Sequence, residues 1–234
     1  MKGAIFFDLY GTLIDILTDE ADPGVYSALC RYLSYHSVPI SPEEFRKVYF
    51  EDIQRVLKQS QEPCSEVDVF RVFSNLMQRY GHRHFPRSVV ADTAKLFRSL
   101  TIRRFGVFPA VYSVLASLFA KYDLAVVSDA QWIFAEPEME MLGLKSFFKC
   151  VVLSSHLGFK KPDVRLFQLA MRRLSATPEE SIYIGDNPPK DMEGAKRAGM
   201  RFILFGSSVK SGSEFKPDGY FSNYSELLKI LGEM

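Results

Sequence analysis

Asp8 stands at the end of the apolar run Ala4-Ile5-Phe6-Phe7 and is followed by Leu9-Tyr10-Gly11-Thr12-Leu13. A carboxylate at the tip of a buried strand is costly unless a cation or hydrogen bonds hold it. In open α/β sheets, ligands bind just beyond the carboxyl ends of the strands, so Asp8 is placed for chemistry. The arrangement recurs twice. Ala125-Val126-Val127 leads to Ser128-Asp129, and Ser181-Ile182-Tyr183-Ile184 leads to Gly185-Asp186, with Asp191 following after a loop that contains Pro188 and Pro189. Lys161 enters from the loop Gly158-Phe159-Lys160-Lys161-Pro162-Asp163. Strand-tip acids with a hydroxyl and a lysine suit a hard divalent cation and an anionic substrate. Mg²⁺ takes a few carboxylate oxygens and completes its octahedron with water and substrate oxygens. The lysine is a point charge for a phosphate or for a carboxylate nucleophile.

The elements that must position these residues fall into two textures. From about Asp22 to Ser99 the pattern is helical. Val25, Leu29, Tyr32 and Leu33 recur at three- and four-residue spacing. Ser41-Pro42-Glu43-Glu44 is a helix start, with Ser as cap, Pro at the first position and acids in the first turn. Further apolar faces run from Phe45 to Leu57 and from Val69 to Tyr80, and a fourth helix is expected from Arg87 to about Ser99. After Phe105 an α/β rhythm takes over, with strands at Leu124–Val127, Val151–Leu153, Tyr183, Phe202–Phe205 and Tyr220–Phe221. Thr177-Pro178-Glu179-Glu180 reads as one more helix cap, Lys190–Ala198 as a helix, and residues 207–212 as a mobile surface loop. Alternating strands and helices imply an α/β fold, a doubly wound parallel (Rossmann-like) sheet.

Composition sets outer limits. The 234 residues are 47% hydrophobic, enough for a substantial core, and could form one large or two modest domains. A net charge of +1 gives no ground for a nucleic-acid partner. Cys30, Cys64 and Cys150 are odd in number and contain no Cys-x-x-Cys, so reduced thiols and a cytoplasmic location are expected. Asp8 interrupts the N-terminal apolar stretch, and no segment reaches transmembrane length, so neither a signal peptide nor a membrane partner is expected. Oligomeric state is not readable from the sequence.

In order and spacing, the four segments resemble the haloacid dehalogenase (HAD) superfamily of hydrolases. The first matches its nucleophile motif, Asp-x-Asp-Gly-Thr/Val, except at Tyr10. Ser128 matches the motif Ser/Thr, Lys161 the motif lysine, and Gly185-Asp186 through Asp191 the Gly-Asp-x-x-x-x-Asp metal motif. The resemblance covers the first fifteen or so residues and nearly everything after Phe105. It implies a core of residues 1–17 plus 103–234, and an inserted four-helix cap of residues 18–102 that selects the substrate. It also implies roles. Asp8 would be the nucleophile, Lys161 would hold its carboxylate, and Ser128 would donate to a substrate oxygen. Mg²⁺ would sit between Asp8, Asp186, Asp191 and the backbone carbonyl of Tyr10. Tyr10, Thr12, Ser128 and Asp129 would meet the substrate.

Tyr10 departs from the family pattern. Phosphatases of the superfamily carry there an acid that protonates the leaving oxygen, and a phenol with a pKa of about 10 is a poor substitute at neutral pH. Dehalogenases carry an aromatic residue there, because halide leaves without a proton. They also dispense with the metal and with the first acid of the last motif, whereas Asp186 and Asp191 are both present. The expected activity is therefore Mg²⁺-dependent hydrolysis of a small phosphorylated metabolite. The alternatives are a 2-haloacid dehalogenase acting on a halogenated substrate, and a weakly catalytic binding or regulatory protein of the same fold.

Overall fold

The computed structural model describes residues 3–206 and 214–233; the loop expected at residues 207–212 lies outside them. In chain order the elements are β1 (Ala4–Phe7), β2 (Ile14–Thr18), α1 (Pro23–Tyr35), α2 (Pro42–Gln59), α3 (Val69–Gly81), α4 (Arg87–Thr101) and β3 (Ile102–Val107). Then follow α5 (Val111–Phe119), β4 (Asp123–Ser128), α6 (Trp132–Met141), β5 (Cys150–Leu153), α7 (Val164–Leu174), β6 (Ser181–Gly185), α8 (Glu193–Arg197), β7 (Arg201–Phe205), β8 (Gly219–Phe221) and α9 (Tyr224–Gly232).

Six strands form one sheet in the order β5-β4-β1-β6-β7-β8, every neighbouring pair parallel. The period-two alternation of strand side chains divides its residues between two apolar layers. Ile5, Phe7, Leu124, Val126, Ile182 and Ile184 pack with α5 and α9 on one face. Phe6, Ala125, Val127, Tyr183 and Phe202 pack with α7 and α8 on the other. The order puts β1 between β4 and β6, so the three strands that end in candidate site residues are adjacent. Phe7 lies level with Val126 on one side and Ile184 on the other. Asp8, Ser128 and Asp186 therefore emerge at one edge, within a residue of the same height.

Helices α1 to α4 gather around a separate apolar cluster rich in aromatic rings, among them Tyr26, Phe45, Tyr49, Phe73 and Phe97. The Ser41 hydroxyl caps α2 as its sequence implies, accepting from the Glu44 N–H at 3.2 Å. Ile133 and Phe134 of α6 belong to this helical cluster although α6 belongs to the sheet layer. The helical layer is thus seated on the sheet through the first turn of α6.

Three features differ from the sequence reading. β2 and β3 pair antiparallel as a two-stranded ribbon at the base of the helical layer. Neither strand alternates cleanly in burial, and the partners are separated by the whole helical insertion, so no local pattern announces them. Thr177-Pro178-Glu179-Glu180 forms a turn instead of a helix cap. β6 begins at Ser181, and the Ser181 hydroxyl donates back to the Thr177 carbonyl at 2.6 Å. The Lys190–Ala198 helix opens with a wide π-type turn over Pro188–Met192 before α8.

Candidate active site

Around Asp8 the sheet edge gathers charge that the interior tolerates only in pairs. Asp8 is 7% exposed, Lys161 3% and Asp191 0%. The Lys161 Nζ lies 2.6 Å from Asp191 Oδ1, 2.8 Å from Asp8 Oδ1 and 3.1 Å from the Tyr183 hydroxyl. Tyr183 Oη itself donates to the Val127 carbonyl at 2.7 Å, which turns an oxygen lone pair toward the ammonium. Burial opposes the lysine's charge, but Asp191, Asp8 and Asp129 outweigh it and hold the group above its ordinary pKa. The Asp191 pKa is raised as well, to about 7, by burial and by Asp8 despite Lys161. Its second oxygen accepts from the Asn187 N–H at 2.9 Å, which pins the loop after β6.

Asp186 sits beside them, and the Thr12 hydroxyl donates to its Oδ1 at 2.8 Å. Burial and then Asp8 push its carboxyl above the usual range. Gly11 has φ +82°, and a Cβ there would stand 2.7 Å from Asp186 Oδ2, so glycine is needed for both the turn and the close approach. Carboxylate oxygens of Asp8, Asp186 and Asp191 all fall within 4.8 Å of one another. Asp8 Oδ1 is buried, with the Lys161 ammonium as its charged partner. Three converging acids beside a single ammonium fit a hard divalent cation, whose charge would offset their mutual repulsion.

The other expected site residues are distributed around this centre. Ser128 is buried at the end of β4. Asp129 accepts the Lys161 backbone N–H at 2.8 Å, and its second oxygen has the Lys190 ammonium at 3.3 Å. In the structure, then, Asp129 orients the lysine loop and Thr12 orients Asp186. Tyr10 turns its phenol away from the acids, donating to Glu138 Oε2 at 2.5 Å. The Arg98 Nε donates to the other oxygen of Glu138 at 2.7 Å, and its guanidinium lies 5.2 Å from the centre of the Tyr10 ring. Burial first, then the Glu138 charge, raise the Tyr10 pKa, so the phenol keeps its proton.

Glu138, Arg98 and Tyr183 escaped the sequence reading. Glu138 does leave a trace, for it falls four residues after Phe134 on the buried face of α6, where a carboxylate needs a partner. Arg98 and Tyr183 leave none, since a helix-end arginine and a strand tyrosine are ordinary in their elements.

The segment between α2 and α3 ties the helical layer to two loops that border the site. Ser65 bridges Phe159 in antiparallel fashion; the Glu66 N–H donates to the Gly158 carbonyl at 2.9 Å, and the Lys160 N–H to the Cys64 carbonyl at 2.8 Å. Gln131, just beyond Asp129, donates to the Val67 carbonyl and accepts from the Val69 N–H, both at 2.9 Å. The segment is therefore bonded to the loop that carries Lys161 and to the loop after Ser128. Nearby, Trp132 stacks on His156, and its indole N–H donates to Asp68 at 3.1 Å. Trp132 and His156 are thus tied to this seam, away from the acid cluster.

Comparison with known proteins agrees with this geometry. A family model described as "Haloacid dehalogenase-like hydrolase" matches residues 5–205. The chain is 30% identical over 210 residues to the glyceraldehyde 3-phosphate phosphatase of Methanothermobacter thermautotrophicus, covering 89% of this chain and 88% of the other. It is 25% identical over 241 residues to the phosphoglycolate phosphatase of Salmonella paratyphi A, covering 97% and 92%. Among solved structures it resembles a 2-haloacid dehalogenase from Pseudomonas syringae pv. tomato, with TM-score 0.72, 24% identity and coverage of 100% and 99%. That likeness, at such identity, is one of fold. No helix among the described residues is long and apolar enough to cross a membrane.

Proposed function

The chain belongs to the haloacid dehalogenase-like hydrolases, and from that premise we propose that it is a Mg²⁺-dependent phosphatase of small phosphorylated metabolites with Asp8 as nucleophile. The observation that carries this reading is the convergence of Asp8, Asp186 and Asp191 beside Lys161. A site for neutral or halide chemistry has no use for so much clustered carboxylate. The relatives named as phosphatases of small phosphorylated compounds support it.

In this reading Asp8 attacks phosphorus, the bond to the leaving oxygen breaks, and an aspartyl phosphate forms on the side chain. Lys161 restrains the Asp8 carboxylate and screens the incoming phosphate, and Asp191 fixes Lys161. Thr12 turns Asp186 toward the shared cation position, which Asp8, Asp186, the Tyr10 backbone carbonyl and Asp191, directly or through water, would surround. A divalent cation bound there offsets the repulsion between carboxylate and phosphate and orients the phosphoryl group. Ser128 donates to a phosphoryl oxygen. Residues 18–102 act as the cap that selects the substrate, and residues 1–17 with 103–234 carry the chemistry.

Tyr10 alone favours a second reading, a 2-haloacid dehalogenase, which leaves Asp186 without a task. Hydrolysis of p-nitrophenyl phosphate separates the two readings. Turnover is expected to require Mg²⁺, to stop with EDTA and to vanish in Asp8→Asn. Absence of turnover above that variant, with halide release from a 2-haloacid, overturns the phosphatase reading.

A further inference from the structure

Hydrolysis of an alkyl phosphate needs a proton at the departing oxygen, and a positioned acid contributes about 10²–10⁴-fold to that step. Around Asp8 the phenol, ammonium and threonine donors are committed to other oxygens, and in the phosphatase reading the Ser128 hydroxyl serves a phosphoryl oxygen. The Tyr10 phenol has one proton, and it points at Glu138. Glu138 in turn has both oxygens engaged by Arg98, at 2.7 and 3.3 Å. The Lys161 ammonium has three N–H groups and three oxygens around it, from Asp8, Asp191 and Tyr183. The Tyr183 proton goes to the Val127 carbonyl and the Thr12 proton to Asp186. The Lys190 ammonium lies against Asp129.

Resting on the phosphatase reading, we propose that this site is specialised for phosphoryl donors whose leaving group departs as a stable anion: acyl phosphates, phosphoanhydrides, and enol or aryl phosphates. Arg98 and Glu138 are the positioning residues that keep the Tyr10 phenol out of the reaction. In the first half-reaction the electron pair of the breaking P–O bond stays on the departing carboxylate, phosphate, enolate or phenolate, while the Asp8 Oδ–P bond forms. In the second, water attacks the phosphorus of the aspartyl phosphate dianion. Its two protons remain on the released dihydrogen phosphate and the Asp8 carboxylate is regenerated, so no protein base is required. Alkyl esters, which leave as strongly basic alkoxides, are disfavoured. That sets the chain apart from its relatives named for glyceraldehyde 3-phosphate and phosphoglycolate.

The test is kcat/KM with Mg²⁺ for acetyl phosphate, p-nitrophenyl phosphate, phenyl phosphate and glycerol phosphate, in the wild type and in Tyr10→Phe and Tyr10→Asp. The wild type is expected to slow steeply as leaving-group basicity rises, by at least about 10³-fold from p-nitrophenyl to glycerol phosphate, the size of a missing acid. Tyr10→Phe should show the same slope, and Tyr10→Asp should narrow the alkyl-to-aryl gap by about 100-fold. A shallow wild-type slope overturns this proposal and leaves the phosphatase reading standing. A slope that steepens in Tyr10→Phe overturns it as well, since the phenol would then be the acid. No turnover of any of the four donors overturns the phosphatase reading itself, and this proposal with it.

Discussion

Glu138 and Arg98 illustrate how unequal the members of a buried ion pair can be. Glu138 is almost fully buried, whereas Arg98 retains some contact with solvent. Removing a partner from a buried pair strands an uncompensated charge, which costs far more than the pair contributes. Arg98→Met is therefore expected to lose about 3–5 kcal/mol, read as a lower urea midpoint. The double variant Arg98→Met/Glu138→Met should recover most of that loss. Recovery below about 1 kcal/mol would mean that Glu138 relies on Tyr10 more than on the arginine. The same residues mark where sequence reasoning stops. Asp8 and Asp186 were legible because an acid at the end of an apolar strand contradicts its surroundings and so announces a role, and Lys161 through the motif it matches. Tyr10 was legible as an anomaly, but the destination of its phenol was not. That depends on a carboxylate 128 residues further along the chain.

Among elements, the parallel sheet was readable strand by strand. Each of the inner strands β1, β4 and β6 centres on a short apolar run. The β2–β3 ribbon was not readable, because its pairing spans the helical insertion. Nor was the seating of the α2–α3 segment, many of whose bonds run through main-chain atoms that every sequence possesses, beside the Glu66 and Asp68 side chains. Gln131 is the exception, since its amide satisfies the Val67 carbonyl and the Val69 N–H together. Gln131→Ala leaves both backbone groups without their partner at about 1–3 kcal/mol for an unmet buried group. Amide exchange at residues 64–69 is expected to quicken markedly while β1, β4 and β6 keep their protection. Unchanged exchange there would mean that the bridge to Gly158 and Lys160 holds the segment alone.

For the molecule as a whole, the two apolar layers of the sheet and the helical cluster make three apolar centres, and the candidate site stands at the sheet edge. Three acids facing one lysine leave the cluster short of positive charge, so the fold should respond to a divalent cation. At 100 times its dissociation constant, a cation that binds only the folded chain adds about 2.7 kcal/mol. Mg²⁺ is therefore expected to raise the melting temperature of the wild type and to have little effect on Asp186→Asn. In EDTA the order should reverse. Burial and Asp8 disfavour ionised Asp186 in the folded state, so its neutral replacement should melt later than the wild type. An equal Mg²⁺ response in the two proteins would remove Asp186 from the cation site.

The way the α2–α3 segment is held bears on how such a protein diversifies. Cys64, Glu66, Val67 and Val69 engage the lower layer through carbonyl and N–H groups, and main-chain groups survive almost any replacement of the side chains they carry. Side chains of this segment other than Glu66 and Asp68 can therefore be replaced while its main-chain seating on the Lys161 loop persists.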